Sequence, residues 1–249
     1  MKKILVIGDS CKDVFVYCAA RRLAPDIPVP VLQIASTTHN PGMAKNVHRN
    51  VRAIYKNCVL ITNNNWQSVT KTRYMHNSSN QAFMRVDADT PIDRINIHKI
   101  NLKKYDIVAV SDYDKGFLTR EDIRHICSNH PLVFVDTKKP VSGFLKGAAY
   151  IKINQFELER SLPIPQYLLK RLICTKGGDS VEFNGKKFPI PNVVEVKDTS
   201  GAGDSFFSAL VVRFAETGDI EESIRFANLC AGDVVQQRGV TVIKRPTLV

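Results

Sequence analysis

Six short apolar runs, at positions 3–7, 59–62, 107–111, 132–136, 150–153 and 172–175, do most to limit what this chain can fold into. Their apolar residues stand on consecutive positions, not alternate ones. A strand with one wet face alternates, whereas a run such as Ile4-Leu5-Val6-Ile7 must hide both faces. This predicts a mostly parallel sheet with helices on either side. Helical spacing fills the gaps, at 42–55, 119–129, 155–161, 202–217 and 220–237. The βαβ alternation predicts an α/β layered fold. At roughly 150 residues per domain, the 249 residues suit one domain with room for a small appendage. No internal repeat or low-complexity segment is visible.

Segments 14–34 and 69–86 break the rhythm and read as exposed strands. The second holds two alternating runs around Asn77-Ser78-Ser79-Asn80, a hairpin signature. Together they predict a small antiparallel sheet projecting from the main domain. Such a sheet could close over a site as a lid or join two subunits. Apolar side chains in 14–17 and 81–86, wet in a lone small sheet, favour a homodimer through it.

Lys and Arg number 35 against 24 Asp and Glu, and 35 − 24 = +11. That balance suits a polyanionic partner: nucleic acid, an acidic membrane surface or a phosphorylated small molecule. The cations are scattered, with no run of five or six, which weighs against nucleic acid. The apolar runs are far too short to span a bilayer. Gly8-Asp9 cuts the first run too early for a signal peptide, so a cytoplasmic location is expected. The six cysteines form no CxxC pair and the histidines do not cluster, so buried free thiols are expected rather than disulfides or zinc.

Chemistry concentrates in Asp198-Thr199-Ser200-Gly201-Ala202-Gly203-Asp204-Ser205-Phe206. A strand candidate at 193–196 precedes it, and Phe206, Phe207, Leu210, Val211 and Phe214 follow at helical spacing. The glycines thus open a helix, where unpaired N–H groups and the helix dipole attract phosphate. A carboxylate in that first turn, Asp204, would repel a phosphate unless it had a task such as taking a proton from an incoming hydroxyl. The plain alternative is a glycine-rich helix start with Asp204 as a favourable first-turn acid. A dinucleotide fingerprint lacks its third glycine, and no P-loop motif occurs.

At these residues the chain resembles the ribokinase/PfkB family of sugar kinases, and within it the heptose-7-phosphate kinase branch that forms the first half of bifunctional ADP-heptose synthesis enzymes. Matching motifs run in order. They are Gly8-Asp9 with Asp13, Pro25-Asp26-Ile27-Pro28-Val29-Pro30-Val31, Pro41-Gly42-Met43-Ala44-Lys45-Asn46-Val47, Thr70-Lys71-Thr72-Arg73 with Arg85-Val86-Asp87, Ser111-Asp112-Tyr113-Asp114-Lys115-Gly116, Asn154-Gln155-Phe156-Glu157 and Thr175-Lys176-Gly177-Gly178. The resemblance implies a ribokinase-like three-layer α/β/α fold with a small antiparallel β lid, its segments inserted at about 12–40 and 69–90. It implies Asp204 as base, with the N–H groups of Gly201, Ala202 and Gly203 as anion hole. Asp9, Asp13, Gly42, Asn46 and Lys115 would serve the sugar phosphate. Asn154, Thr175, Lys176, Gly177 and Asn228 would serve ATP. Asn154 and Glu157 would hold Mg²⁺ through water, which suits an ion that prefers oxygen ligands. Asp198 and Ser200 match positions that in some relatives shape a K⁺ site. For several residues a purely structural role is open: Asp9 and Asp13 as turn formers, Asn46 on a helix surface, Asn-x-x-Glu as a helix cap.

Two departures stand out. Met43 takes the place of a second glycine in the sugar-binding pair, so it either enters the pocket or packs into the adjacent helix. The stretch 57–69 is shorter than in the relatives by a strand–helix excursion of about 30 residues. Two readings besides a heptose-7-phosphate kinase stay open: a kinase for another sugar or nucleoside, and a catalytically silent binding relative.

Overall fold

In the computed structural model, which describes residues 1–79, 81–88, 90–190, 196–237 and 239–246, all six apolar runs are strands of one eight-stranded sheet. These are β1 (Ile4–Gly8), β4 (Cys58–Ile61), β7 (Ile107–Asp112), β8 (Val133–Thr137), β9 (Tyr150–Asn154) and β10 (Leu172–Thr175). Pairing along β10-β9-β8-β7-β1-β4 is parallel throughout. Residues buried on both faces explain why. Ile4 and Val6 pack on one side of β1, and Leu5 and Ile7 on the other. The first side is covered by α1 (Ala44–Ile54), α5 (Ala202–Thr217) and α6 (Ile220–Val235). The second is covered by α2 (Arg120–Asn129), α3 (Gln155–Ser161) and α4 (Gln166–Leu169). The fold is a three-layer α/β/α sandwich of the ribokinase type.

Residues 180–189, unassigned from sequence, extend the sheet antiparallel as β11 (Ser180–Phe183) and β12 (Lys186–Pro189). Asn184 and Gly185, both at positive φ (48° and 77°), make the tight turn between them. The strand candidate at 193–196 falls on 191–195, mostly outside the described residues.

The smaller sheet has the order β3-β2-β5-β6. It joins two antiparallel hairpins, β2 (Ser10–Leu23) with β3 (Pro30–Met43) and β5 (Thr70–His76) with β6 (Ala82–Asp87). The inner strands β2 and β5 run parallel to each other. Contrary to expectation, 14–17 is not a wet run. Phe15 and Val16 are buried, and Phe15 packs with Met75 and Val240. The wet apolar side chains are Leu23, Ile34, Met84 and Val86. All six cysteines are free and buried. Among the described residues no helix is long and apolar enough to cross a membrane.

Candidate active site

A cavity of about 670 Å³ opens where the small sheet meets the ends of the parallel strands. Asp204 lies in its wall, in the first turn of α5. The helix starts at Gly201, whose φ of 81° is left-handed and favours glycine. A Cβ there would also crowd the Asn46 amide at 3.2 Å. The Ala202 N–H turns back to the Thr199 carbonyl (3.2 Å), so it leaves the three-donor anion hole expected from sequence. At Gly203 a Cβ would stand 3.2 Å from Lys152 Nζ, which lies buried beneath the helix start.

Two donors hold the Asp204 carboxylate. Asn46 Nδ2 donates to Oδ2 at 2.9 Å, and the Tyr113 hydroxyl donates to Oδ1 at 2.5 Å. The Asn46 amide is oriented by Asn50, whose Nδ2 donates to Asn46 Oδ1 (3.2 Å) and to its backbone oxygen (2.9 Å). Burial pushes the Asp204 carboxyl above its ordinary range, while the Asn46 and Tyr113 hydrogen bonds pull it back.

The small sheet supplies the other wall. Asp13 on β2 pairs with Arg73 on β5 (3.0 Å), and Lys71 stands beside Arg73 on the same strand. Gly42 forms no wall itself but makes room for Asp13: a Cβ would come within 2.3 Å of Asp13 Oδ2. Met43 lines the cavity and packs with Cys11, Val69 and the Tyr113 ring, on the small sheet and the loop after β7 rather than on the adjacent helix. Its backbone adopts φ 58°, ψ −136°, a region almost reserved for glycine.

Asp9 is fully buried behind this wall, and its two oxygens accept the N–H groups of Tyr113 (2.7 Å) and Phe117 (3.1 Å). It shapes the loop after β7, a correction to its expected contact with sugar. Lys115 in that loop is exposed and outside the cavity wall.

Thr175, Gly177 and Asn228 line the far end of the cavity, between β11 and α6. Asn228 Nδ2 donates to the Phe188 and Pro189 carbonyls, fastening β12 to α6. Lys176 instead pairs with Glu182 at 2.7 Å. Asn154 lines the cavity and forms a full capping box with Glu157: the Glu157 N–H donates to Asn154 Oδ1 (2.8 Å), and the Asn154 N–H to Glu157 Oε2 (2.9 Å). Glu157 Oε1 pairs with Lys138. No group of three or more His, Cys, Asp or Glu among the described residues could hold a metal directly. Asp198 accepts the N–H groups of Ser200 (2.8 Å) and Gly239 (3.1 Å), which accounts for this acid without an ion, while Ser200 lines the cavity.

Lys71, Arg73, Lys138 and Lys152 also line the cavity, although their motifs did not mark them as site residues. Lys152 carried a signal, a charge inside the apolar run 150–153. It is buried and paired with Asp136 at 2.9 Å.

Comparison with known proteins agrees with this geometry. The chain is 27% identical to the bifunctional protein HldE of Helicobacter pylori strain J99, over 96% of this chain and 64% of that protein. It is 29% identical to HldE of Nitratiruptor sp., over 95% and 62%. The chain thus spans less than two thirds of the length of these relatives. Among solved structures, Thermotoga maritima ribokinase superposes with a TM-score of 0.74 at 18% identity, covering 96% of this chain and 95% of that one. The Methanocaldococcus jannaschii nucleoside kinase gives 0.71 at 19%, covering 96% and 93%. Residues 70–248 match the family described as "pfkB family carbohydrate kinase". A carboxylate buried in the first turn of a glycine-opened helix faces the small sheet across this cavity, and the chain belongs to the pfkB family of carbohydrate kinases.

Proposed function

We propose that this kinase transfers the γ-phosphoryl group of ATP to a sugar that already carries a phosphate, of the heptose-7-phosphate type. One observation supports the reading above others: four cations, Lys71, Arg73, Lys138 and Lys152, line the same cavity as two carboxylates, Asp13 and Asp204, a balance suited to an acceptor that is itself an anion. The motif resemblance to the heptose-7-phosphate kinase branch points the same way. In this reading Asp13 and Asn46 hold sugar hydroxyls and the lid cations hold the acceptor's phosphate. Asp204 takes the proton of the attacking hydroxyl as its oxygen bonds to phosphorus and the bond to the ADP oxygen breaks. The N–H groups of Gly201 and Gly203 face the transferring charge. Thr175, Gly177 and Asn228 flank the nucleotide. Asn154 and Glu157 would hold Mg²⁺ through water, where it neutralises phosphate charge.

One kinase domain, 1–249 with the lid inserted at about 12–40 and 69–90, carries all of this. The exposed Leu23, Ile34, Met84 and Val86 support pairing of two subunits through the lid. Sedimentation showing only monomer at micromolar concentration, with or without ligand, would overturn the pairing. For the substrate, ATP consumption is measured with heptose-7-phosphate, ribose, fructose-6-phosphate and adenosine, varying potassium because Ser200 lies beside the anion hole. The expected result is a kcat/KM at least about tenfold higher for heptose-7-phosphate than for ribose or adenosine. Preference for an unphosphorylated acceptor removes the phosphate part of the reading, and no turnover with any acceptor makes the chain a silent binding relative.

A further inference from the structure

We infer that Tyr113 is a positioning residue for the base: its hydroxyl fixes the Asp204 carboxylate in the orientation and ionised form that proton abstraction needs. This rests on the kinase reading for its purpose but not for its geometry. A carboxylate held at one oxygen can still swing, and small misplacements of a reacting group are costly. Here each oxygen has its own donor, from opposite sides: Asn46 from α1 and Tyr113 from the loop after β7.

The tyrosine is itself held. Its N–H is bonded to buried Asp9, and the loop is anchored where Lys139 pairs with Asp112 (2.9 Å) and Asp114 (2.7 Å). Met43, Cys11 and Val69 support the ring from below. Ammonium groups flank it, Lys71 at 4.9 Å and Lys138 at 5.3 Å from the ring centre. Both favour the electron-rich ring face.

The groups facing Asp204 decide what the hydroxyl does. Asp136 on β8 and Lys152 on β9 are paired with each other, so their opposed effects largely cancel. Asp13 on β2 is matched by Arg73 on β5, with Lys71 next to them. What offsets burial of the charge is therefore mainly the two hydrogen bonds, and the shorter one comes from Tyr113. Oδ1 has a second lone pair, so an acceptor hydroxyl can bond there while Tyr113 stays in place.

Tyr113→Phe removes only the hydroxyl. The ¹³C resonances of aspartate carboxyl carbons are titrated in wild type and variant, with that of Asp204 identified by its loss in Asp204→Asn. The expected result is a rise of about one pH unit in the Asp204 midpoint. On whichever sugar the wild type turns over, the acidic limb of kcat should rise equally, and the plateau should fall because the carboxylate loses one of its two anchors. An unchanged midpoint overturns the proposal, whatever the rate does. The titration needs no substrate, so lack of turnover in the wild type counts against the kinase reading alone. Should Tyr113→Phe fail to fold, site-specific 3-fluorotyrosine at position 113, a stronger donor, must move the midpoint down; no movement overturns the proposal equally.

Discussion

The two sheets hide apolar side chains in opposite ways, and the site is built from their difference. In the large sheet, β1, β7 and β8 are buried at every position, with side chains alternating between two cores. In the small sheet, β6 has no buried residue and β3 only its last two. Asp204, Lys152 and Tyr113 stand on or just beyond the first scaffold. Asp13, Lys71 and Arg73 stand on the second. The Asp204 carboxylate thus belongs to the fully buried scaffold, and the groups that would grip an acceptor stand on the half-buried inner strands of the small sheet.

The strongest way to sharpen the contrast is Asp204→Asn, which should lower turnover by about 10²–10⁴-fold without loosening the fold. Burial raises the folded-state proton affinity of Asp204 above that of the unfolded chain. Its contribution to stability is therefore complete below the unfolded value and lost as pH rises through the folded one. The variant should melt no lower than wild type at pH 8, and its relative advantage should shrink towards pH 5. A large drop in melting temperature at pH 8 would contradict this.

The next test compares one residue in each sheet. Phe134, buried against Tyr150 and Phe214, should cost about 3–5 kcal/mol on truncation to alanine. Ile34→Ala on the wet lid face should change monomer stability by less than about 0.5 kcal/mol. Denaturant titration reads both, and equal costs would erase the distinction. Arg73→Ala should then raise KM for a phosphorylated acceptor by about ten- to a hundredfold, the loss of a hydrogen bond to a charged group. KM for ATP should stay put, since Arg73 belongs to the lid. The smallest kinetic effect expected is at Met43. Met43→Gly frees pocket volume and relieves the glycine-like backbone, so KM for heptose-7-phosphate should fall by about tenfold. Steady-state kinetics on the same sugar panel would show unchanged constants if Met43 acts only as core.

Legibility followed the same division. Strands buried on both faces announce themselves by unbroken apolar runs, and all six were found within a residue or two of their ends. The lid strands alternate or mix, so 14–34 was recognisable as extended but not as a hairpin whose return strand continues to Met43. The β11–β12 hairpin was missed although Asn184-Gly185 marks its turn, because its strands mix polar and apolar residues and hold no unbroken apolar run. In the site, Asp204, Asn46 and Asp13, far apart in sequence, line one cavity. Asp9 did not, because no local pattern distinguishes a carboxylate meant for sugar from one that accepts two backbone N–H groups. Lys71, Lys138 and Lys152 come from three strands or their ends, and only the folded arrangement brings them together.

At Met43 the strand β3 becomes the helix α1 with no intervening loop, since this residue both ends the strand and caps the helix. No slack chain therefore separates the small sheet from α1, and the third residue of that helix, Asn46, donates to Asp204. A tilt of the small sheet would be felt at the Asp204 carboxylate through three residues of helix.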